Sequence, residues 1–330
     1  DRDGYGTRSA DTLPRSTQDE AEKADRMCES VSRRKRNAPV PGSAAVKKSA
    51  SKNVAASVHQ RLLNVARETG RPFNEVLLYF AMERLLYRLS CSGHKDSFVL
   101  KGALLFRVWD VPDSRATRDI DFLAFLDNSP ENLAAIFREV CSIEGDDGLA
   151  FDPESVQAQT IKKDADYEGV RVRFRGLLGK AKVTMQVDTG FGDTVHPDAV
   201  HGEYPSILNM PAPSLCMYPP ETVVAEKTEA MVHLGSLNSR MKDFYDIWRL
   251  SQQFEFDDAI LSEAIRQTFD NRGTTLMSFD ELKTEILQNK SMEKQWNAFL
   301  EKTGVSGPST FDEVLTRIGA VIGPALDQTS

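Results

Sequence analysis

Asp119 and Asp121 stand one residue apart in Arg118-Asp-Ile-Asp-Phe122, a short distance after a Lys101-Gly102-Ala103 turn. In a strand, alternate side chains share a face, so the two carboxylates would point the same way with Cα atoms roughly 6.5 Å apart. Carboxylates that close repel one another unless a cation lies between them. Hard oxygen ligands that leave positions open for phosphate suit Mg²⁺. The chemistry that needs such a pair is phosphoryl or nucleotidyl transfer, in which one metal activates an attacking oxygen and a second, about 4 Å away, neutralises the triphosphate. Three acids can hold two metals, and Asp188 becomes the third metal ligand if its strand lies beside the first, with Asp193 competing for that place.

Other residues suit the substrate side. Backbone N–H groups at Lys101, Gly102 and Ala103 can bind phosphate at the start of a helix, and Lys101 adds a point charge. Lys227 lies in a largely apolar helical stretch (Val223, Val224, Ala225, Ala230, Met231, Val232), where a lysine needs a charged partner. Asp243 and Asp246, at i and i+3, share a helix face, with Lys242 at i and Asp246 at i+4, although acids early in a helix also simply complement its dipole. Arg115, Arg118 and the alternating Arg171, Arg173 and Arg175 can meet phosphates, an exposed basic sheet face being the plainer reading of the last three. His196 and His201 lack a Glu at zinc-site spacing, and no nucleophile-elbow or dinucleotide glycine pattern is present.

The elements that must carry these residues follow from periodicity. Apolar positions from Val54 predict a helix ending at Gly70, and Phe73 to Leu89 a second helix, apolar on most sides and so buried against a sheet. Ser97 to Lys101 reads as a strand, Ala103 to Trp109 as an amphipathic helix, Asp119 to Phe125 as a strand, and Ser129-Pro130 as the capped start of another helix. Val170, Val172 and Phe174 alternate with arginines. They form a hairpin with Ala181 to Val187, which places Asp188 in phase with the polar face. A proline-rich loop region follows Gly192, and beyond Glu221 six helical patterns follow one another as far as Ile322. The expected organisation is an α+β core, a mixed sheet with flanking helices and N-terminal helices over residues 53–200, followed by a mainly helical C-terminal domain over 201–330.

The net charge of −8 over 330 residues argues against a general nucleic-acid coat. It is unevenly spread: residues 1–52 hold twelve Lys or Arg against eight acids, which leaves the rest at about −12. Those first residues have almost no large apolar side chains and are expected to be a disordered tail. Cys28, Cys91, Cys141 and Cys216 show no Cys-x-x-Cys spacing and are expected as free thiols. With no membrane-length apolar run and no signal-peptide pattern, a soluble cytoplasmic protein is expected.

The chain resembles the nucleotidyl transferase AbiEii/AbiGii toxin family of bacterial toxin–antitoxin and abortive-infection systems. The likeness rests on five blocks in order: Phe98-Val-Leu-Lys101-Gly-Ala-Leu-Leu105, Arg115-Ala-Thr-Arg118-Asp-Ile-Asp121-Phe122, Gln186-Val-Asp-Thr-Gly-Phe-Gly-Asp193, Glu221-Thr-Val-Val-Ala-Glu-Lys227, and Asn238-Ser-Arg-Met-Lys-Asp243-Phe-Tyr-Asp246. The resemblance implies a polymerase-β-like nucleotidyltransferase core with an appended helical domain, Mg²⁺ dependence and an NTP as donor. It implies metal binding by Asp119 and Asp121, a phosphate-side turn at Lys101 and Gly102, Lys227 near the nucleotide, and an acidic motif at Asp243 and Asp246. An RNA acceptor such as tRNA and a cognate antitoxin are the expected partners. The same core could serve a catalytically degenerate nucleotide-binding or RNA-binding module, or an antibiotic nucleotidyltransferase. The chain departs from the usual Gly-Ser or Gly-Gly turn by having Gly102-Ala103, which removes a hydroxyl from the phosphate side.

Overall fold

The computed structural model describes residues 47–112, 115–164 and 167–329. The tail expected over 1–52 falls largely outside them. Its last residues open helix α1 (Lys47–Thr69), which runs to the left-handed Gly70, and α2 (Phe73–Ser90) follows. Residues from Lys48 to Ser330 form one compact unit. The expected domain boundary at residue 200 meets the start of a strand of the same sheet.

Seven strands make a mixed sheet in the order β3-β4-β5-β2-β1-β7-β6. These are β1 (Phe98–Lys101), β2 (Ile120–Ala124), β3 (Leu149–Asp164), β4 (Tyr167–Leu178), β5 (Ala181–Phe191), β6 (Val200–Glu203) and β7 (Ser214–Met217). β2 runs parallel to β5 and β1 parallel to β7; the other pairings are antiparallel. Every residue of β1 is buried, as a central strand requires. The helix α2 packs on β5, β7 and α4 (Pro130–Ser142), and α4 covers β3 and β4. Ser129 caps α4 through the Asn132 N–H, with Pro130 in the first turn, as its sequence predicts.

Three sequence expectations change. The long edge strand β3 was not foreseen: Pro153 interrupts its pattern, and an edge position with a register shift between Asp152 and Gln157 is where a sheet tolerates proline. The region after Gly192 is not all loop, because β6 and β7 are short and β7 completes the sheet beside β1. The helix expected over 103–109 is a 3₁₀ turn, Gly102–Leu104, and a single α turn, α3 (Leu105–Val108), too short to gather a helix dipole.

α2 carries an unforeseen set of buried charges. Arg88 makes two bonds to Asp147, at 2.8 and 3.0 Å, and donates to the Ile143 and Leu149 carbonyls. Glu83 accepts from Ser206 Oγ and the Ile207 N–H, so the helix ties the segment before β3 to the loop between β6 and β7. Breaking such a buried pair typically costs about 3–5 kcal/mol.

Beyond the sheet lie α5 (Pro220–Leu234), α6 (Met241–Gln253), α7 (Asp258–Arg272), α8 (Phe279–Leu287), α9 (Met292–Thr303) and α10 (Phe311–Thr329), close to their expected limits except that α10 continues past Ile322 through Pro324. Tyr245, Trp296, Phe299 and Phe311 pack together to join α6, α9 and α10, and Trp296 Nε1 donates to the Pro308 carbonyl at 2.9 Å. Cys91, Cys141 and Cys216 are not in disulfides among the described residues. Among the described residues no helix is long and apolar enough to cross a membrane.

Candidate active site

The turn after β1 and the acids of β2 are built against each other. Lys101 is the register partner of Asp121 across the β1–β2 pair, and Gly102 follows with φ +74°. A Cβ at Gly102 would lie 2.4 Å from Asp121 Oδ2 and 2.9 Å from its Cβ. Only glycine supplies both the left-handed backbone and the space for the carboxylate. On the other side of β2, Asp121 is the register partner of Asp188 in the parallel strand β5.

Asp119 sits at the bend before β2, one residue outside the strand expected to contain it, and its Oδ1 accepts from Thr117 Oγ1 at 2.8 Å. Asp119, Asp121 and Asp188 nevertheless line one cavity of about 570 Å³, together with Ala103, Arg115, Thr117, Ile161, Arg171, Arg240 and Lys242. Asp188 is buried and held by two bonds from Arg171, at 2.8 and 2.6 Å. Hydrogen bonding to that carboxylate is the first cause of the raised Arg171 pKa. Arg173 and Arg175 turn instead to Gln186 and Asp152 at the surface.

A metal here would be met by oxygen donors only, as Mg²⁺ prefers. Among the described residues no group of three acidic, His or Cys side chains converges as a ready metal cage. With Asp188 committed to Arg171, the donor set fits a cation held by Asp119 and Asp121 and completed by substrate oxygens, the usual way Mg²⁺ is bound.

A neighbouring cavity of about 170 Å³ shares Ala103, Arg115, Asp121, Arg240 and Lys242 with the first and runs under α5. Two ion networks line it. In one, Lys101 Nζ lies 2.8 Å from Asp193 and 2.5 Å from Glu226, over the Tyr218 ring. Arg272, at the end of α7, bridges Asp193 at 2.9 Å and Glu229 at 2.7 Å. Burial opposes the Lys101 charge most strongly, yet Glu226, Tyr218 and Asp193 together hold its pKa well above the usual value. Burial likewise opposes the Asp193 carboxylate, and Lys101 and Arg272 outweigh it to pull the pKa well below the ordinary range. The ammonium expected to grip a triphosphate is therefore engaged inside the protein. Its partner Glu226, and Arg272 and Glu229 further along the same network, escaped the sequence reading, although a lysine at the end of a fully buried strand signals that a carboxylate must come from elsewhere.

In the second network, Lys227 Nζ lies 2.7 Å from both Asp243 and Asp246. Arg115 makes a two-bond fork to Asp246, at 3.0 and 2.9 Å, and Arg240 Nε approaches Asp243 at 2.9 Å. The shared helix face expected for the two acids is what presents both to Lys227. Burial disfavours each charge here, but Lys227 and Arg240 lower the Asp243 pKa, Arg115 and Lys227 lower that of Asp246, and the two acids raise that of Lys227. Lys242 is open to solvent at the cavity wall. Protein packed around its ammonium, then Lys227, Arg240 and Arg115, hold its pKa below the usual lysine value against the pull of Asp243. Arg118, expected near the nucleotide, is exposed and lines neither cavity; Arg115, one turn of sequence earlier, takes the inward position.

A family model described as "Nucleotidyl transferase AbiEii toxin, Type IV TA system" matches residues 84–317. The chain belongs to that family. As a member it is a nucleotidyltransferase of the toxin class, and residues 84–317 hold the Gly102 turn, the acids of β2 and β5 and both ion networks. Among solved structures, this AbiEii-family chain is similar to JHP933 from Helicobacter pylori, at 13% identity over 77% of this chain and 92% of that one, with a TM-score of 0.44. It is also similar to a candidate nucleotidyltransferase from H. pylori, at 14% identity over 75% and 93% of the two chains, with a TM-score of 0.40. Comparison with curated proteins gives no match.

Proposed function

We propose that this AbiEii-family protein is a Mg²⁺-dependent nucleotidyltransferase that moves NMP from an NTP to an acceptor hydroxyl on RNA, with tRNA as the favoured acceptor. It would act in the cytoplasm under the control of a cognate antitoxin. The supporting observation is the meeting of both charge signs in one cleft. Asp119, Asp121 and Asp188 line a cavity with Arg115, Arg171, Arg240 and Lys242, and the adjoining cavity, which holds Lys101, Gly102 and Lys227, shares Asp121, Arg115, Arg240 and Lys242 with it. A metal–triphosphate needs both signs side by side.

Asp119 and Asp121 would hold Mg²⁺, and Asp188 joins them on release by Arg171. The metal would supply charge neutralisation at the phosphates. Gly102 and Ala103 offer backbone N–H groups to the triphosphate, so the missing hydroxyl at Ala103 costs one donor and leaves the main-chain ones. Lys101 braces this turn through Asp193 and Glu226. Lys227, fixed by Asp243 and Asp246, presents a positioned cation beside the nucleotide, so catalysis is chiefly positioning and electrostatics. The acceptor oxygen bonds to the α-phosphorus, the bond to the β-phosphate oxygen breaks, pyrophosphate leaves, and the hydroxyl proton passes to solvent.

The test is incorporation of label from each of the four NTPs into tRNA, total RNA and an aminoglycoside, with Mg²⁺ or EDTA. Mg²⁺-dependent labelling of tRNA supports the proposal. Labelling of the aminoglycoside alone selects an antibiotic-modifying enzyme, and nucleotide binding without transfer to any acceptor selects a non-catalytic module.

A further inference from the structure

Resting on the nucleotidyl-transfer reading above, one residue stands out at the wall the two cavities share. The shared wall consists of Ala103, Arg115, Asp121, Arg240 and Lys242. Of its three cations, Arg115 is matched to Asp246 and Arg240 to Asp243. No carboxylate among the described residues lies within ion-pair distance of Lys242; its charged neighbours are Asp243, already engaged by Lys227 and Arg240, and the cations Lys227, Arg240 and Arg115. Arg115, Lys227, Arg240 and Lys242 thus outnumber the acids beside them, Asp243, Asp246 and the Asp121 of the shared wall.

Lys242 also occupies the first turn of α6, where the peptide dipoles favour an anion over a cation. A lysine placed for stability alone would sit at the other end of the helix or beside a free acid. An exposed lysine in an already cationic wall, opening into two cavities, gains a favourable partner only when an anion enters.

We propose that Lys242 binds a phosphate oxygen of the donor triphosphate at the junction of the two cavities. It is a substrate-contacting residue, distinct from Lys227, whose charge is met within the protein by two carboxylates. Because Lys242 is exposed and unpaired among the described residues, its replacement removes affinity for the ligand and leaves the fold intact.

The experiment compares wild type, Lys242→Gln and Lys242→Arg by direct NTP binding, by displacement with inorganic tripolyphosphate, and by steady-state transfer with NTP and RNA varied separately. Loss of one charge-assisted contact corresponds to a rise of about 10–100-fold in the NTP dissociation constant and KM. We expect that rise in Lys242→Gln with an equal loss of tripolyphosphate affinity, partial rescue in Lys242→Arg, an unchanged Tm and an unchanged KM for RNA. Unaltered NTP and tripolyphosphate binding in Lys242→Gln overturns the inference, and so does an effect confined to the KM for RNA. If wild type binds no NTP, both this inference and the transferase proposal fail; if wild type binds and transfers while Lys242→Gln does so equally well, this inference fails alone.

Discussion

The two ion networks flanking the Gly102 turn use the same residue types to opposite ends. Around Lys101, two cations (Lys101, Arg272) meet three acids (Asp193, Glu226, Glu229), and each cation reaches carboxylates from different elements. Around Lys227, four cations meet Asp243, Asp246 and, from the shared wall, Asp121. The first ties the end of β1, the loop after β5, α5 and α7 into one frame. The second keeps positive charge in reserve on a cavity wall. Charge balance, more than residue type, separates a structural clamp from a substrate-facing surface.

The largest way to break this contrast is to remove the acid that serves two cations. Asp246→Ala leaves Arg115 and Lys227 buried with reduced compensation and should cost about 3–5 kcal/mol, read as a fall in the unfolding midpoint. A Tm equal to wild type would show that solvent or mobile side chains replace the carboxylate. Gly102→Ala comes next. It adds a Cβ 2.4 Å from Asp121 Oδ2 at φ +74° and should destabilise by about 1–3 kcal/mol while displacing the acid and suppressing transfer. Normal transfer by that variant would mean that the turn and the acid are not coupled.

A pH series sharpens the same comparison. The Asp193 pKa is depressed in the folded state, so its stabilisation is present above the ordinary carboxylate value of 3.8 and is lost progressively as pH falls towards the folded value. That of Lys101 is raised, so its contribution is present below 10.5 and is lost as pH rises through its elevated folded value. The Tm gap between wild type and Asp193→Asn should be flat from about pH 5 to 9 and should narrow towards about pH 3. A constant gap down to the acid limit would remove Asp193 from the clamp. The smallest effect is expected at the surface, where Arg266 bridges Glu263 and Asp270 on α7 in full contact with water. Arg266→Ala should leave Tm unchanged within error, since exposed pairs contribute little.

Much of this arrangement was legible in the sequence because it is local. Period-3.6 patterns located α5 to α10, Ser129-Pro130 marked the start of α4, and the Asp119/Asp121 pair, Lys227 and Asp243 are residues that the fold gathers in one cleft, with Asp246 buried behind Lys227. What escaped depends on partners distant in the chain. Lys101 at the end of a buried strand implied a counter-charge, but nothing local tells that Glu226 and Asp193 supply it. Arg171 belongs to an alternating basic face, and only the register of β4 against β5 sets it opposite Asp188 while Arg173 and Arg175, exposed on the same face, meet Gln186 and Asp152. Edge strand β3 was hidden by Pro153, and β6 and β7 by their brevity.

The acids beside the Gly102 turn and the cations of α5 and α6 are proposed to act on one nucleotide. The rate of Mg²⁺-dependent NMP transfer to tRNA by Asp121→Asn, a near-isosteric change that removes a single charge, tests this coupling. A loss of at least about 100-fold at unchanged Tm is expected, the order that follows when electrostatic stabilisation of a reacting phosphate is lost. Transfer at the wild-type rate would contradict it.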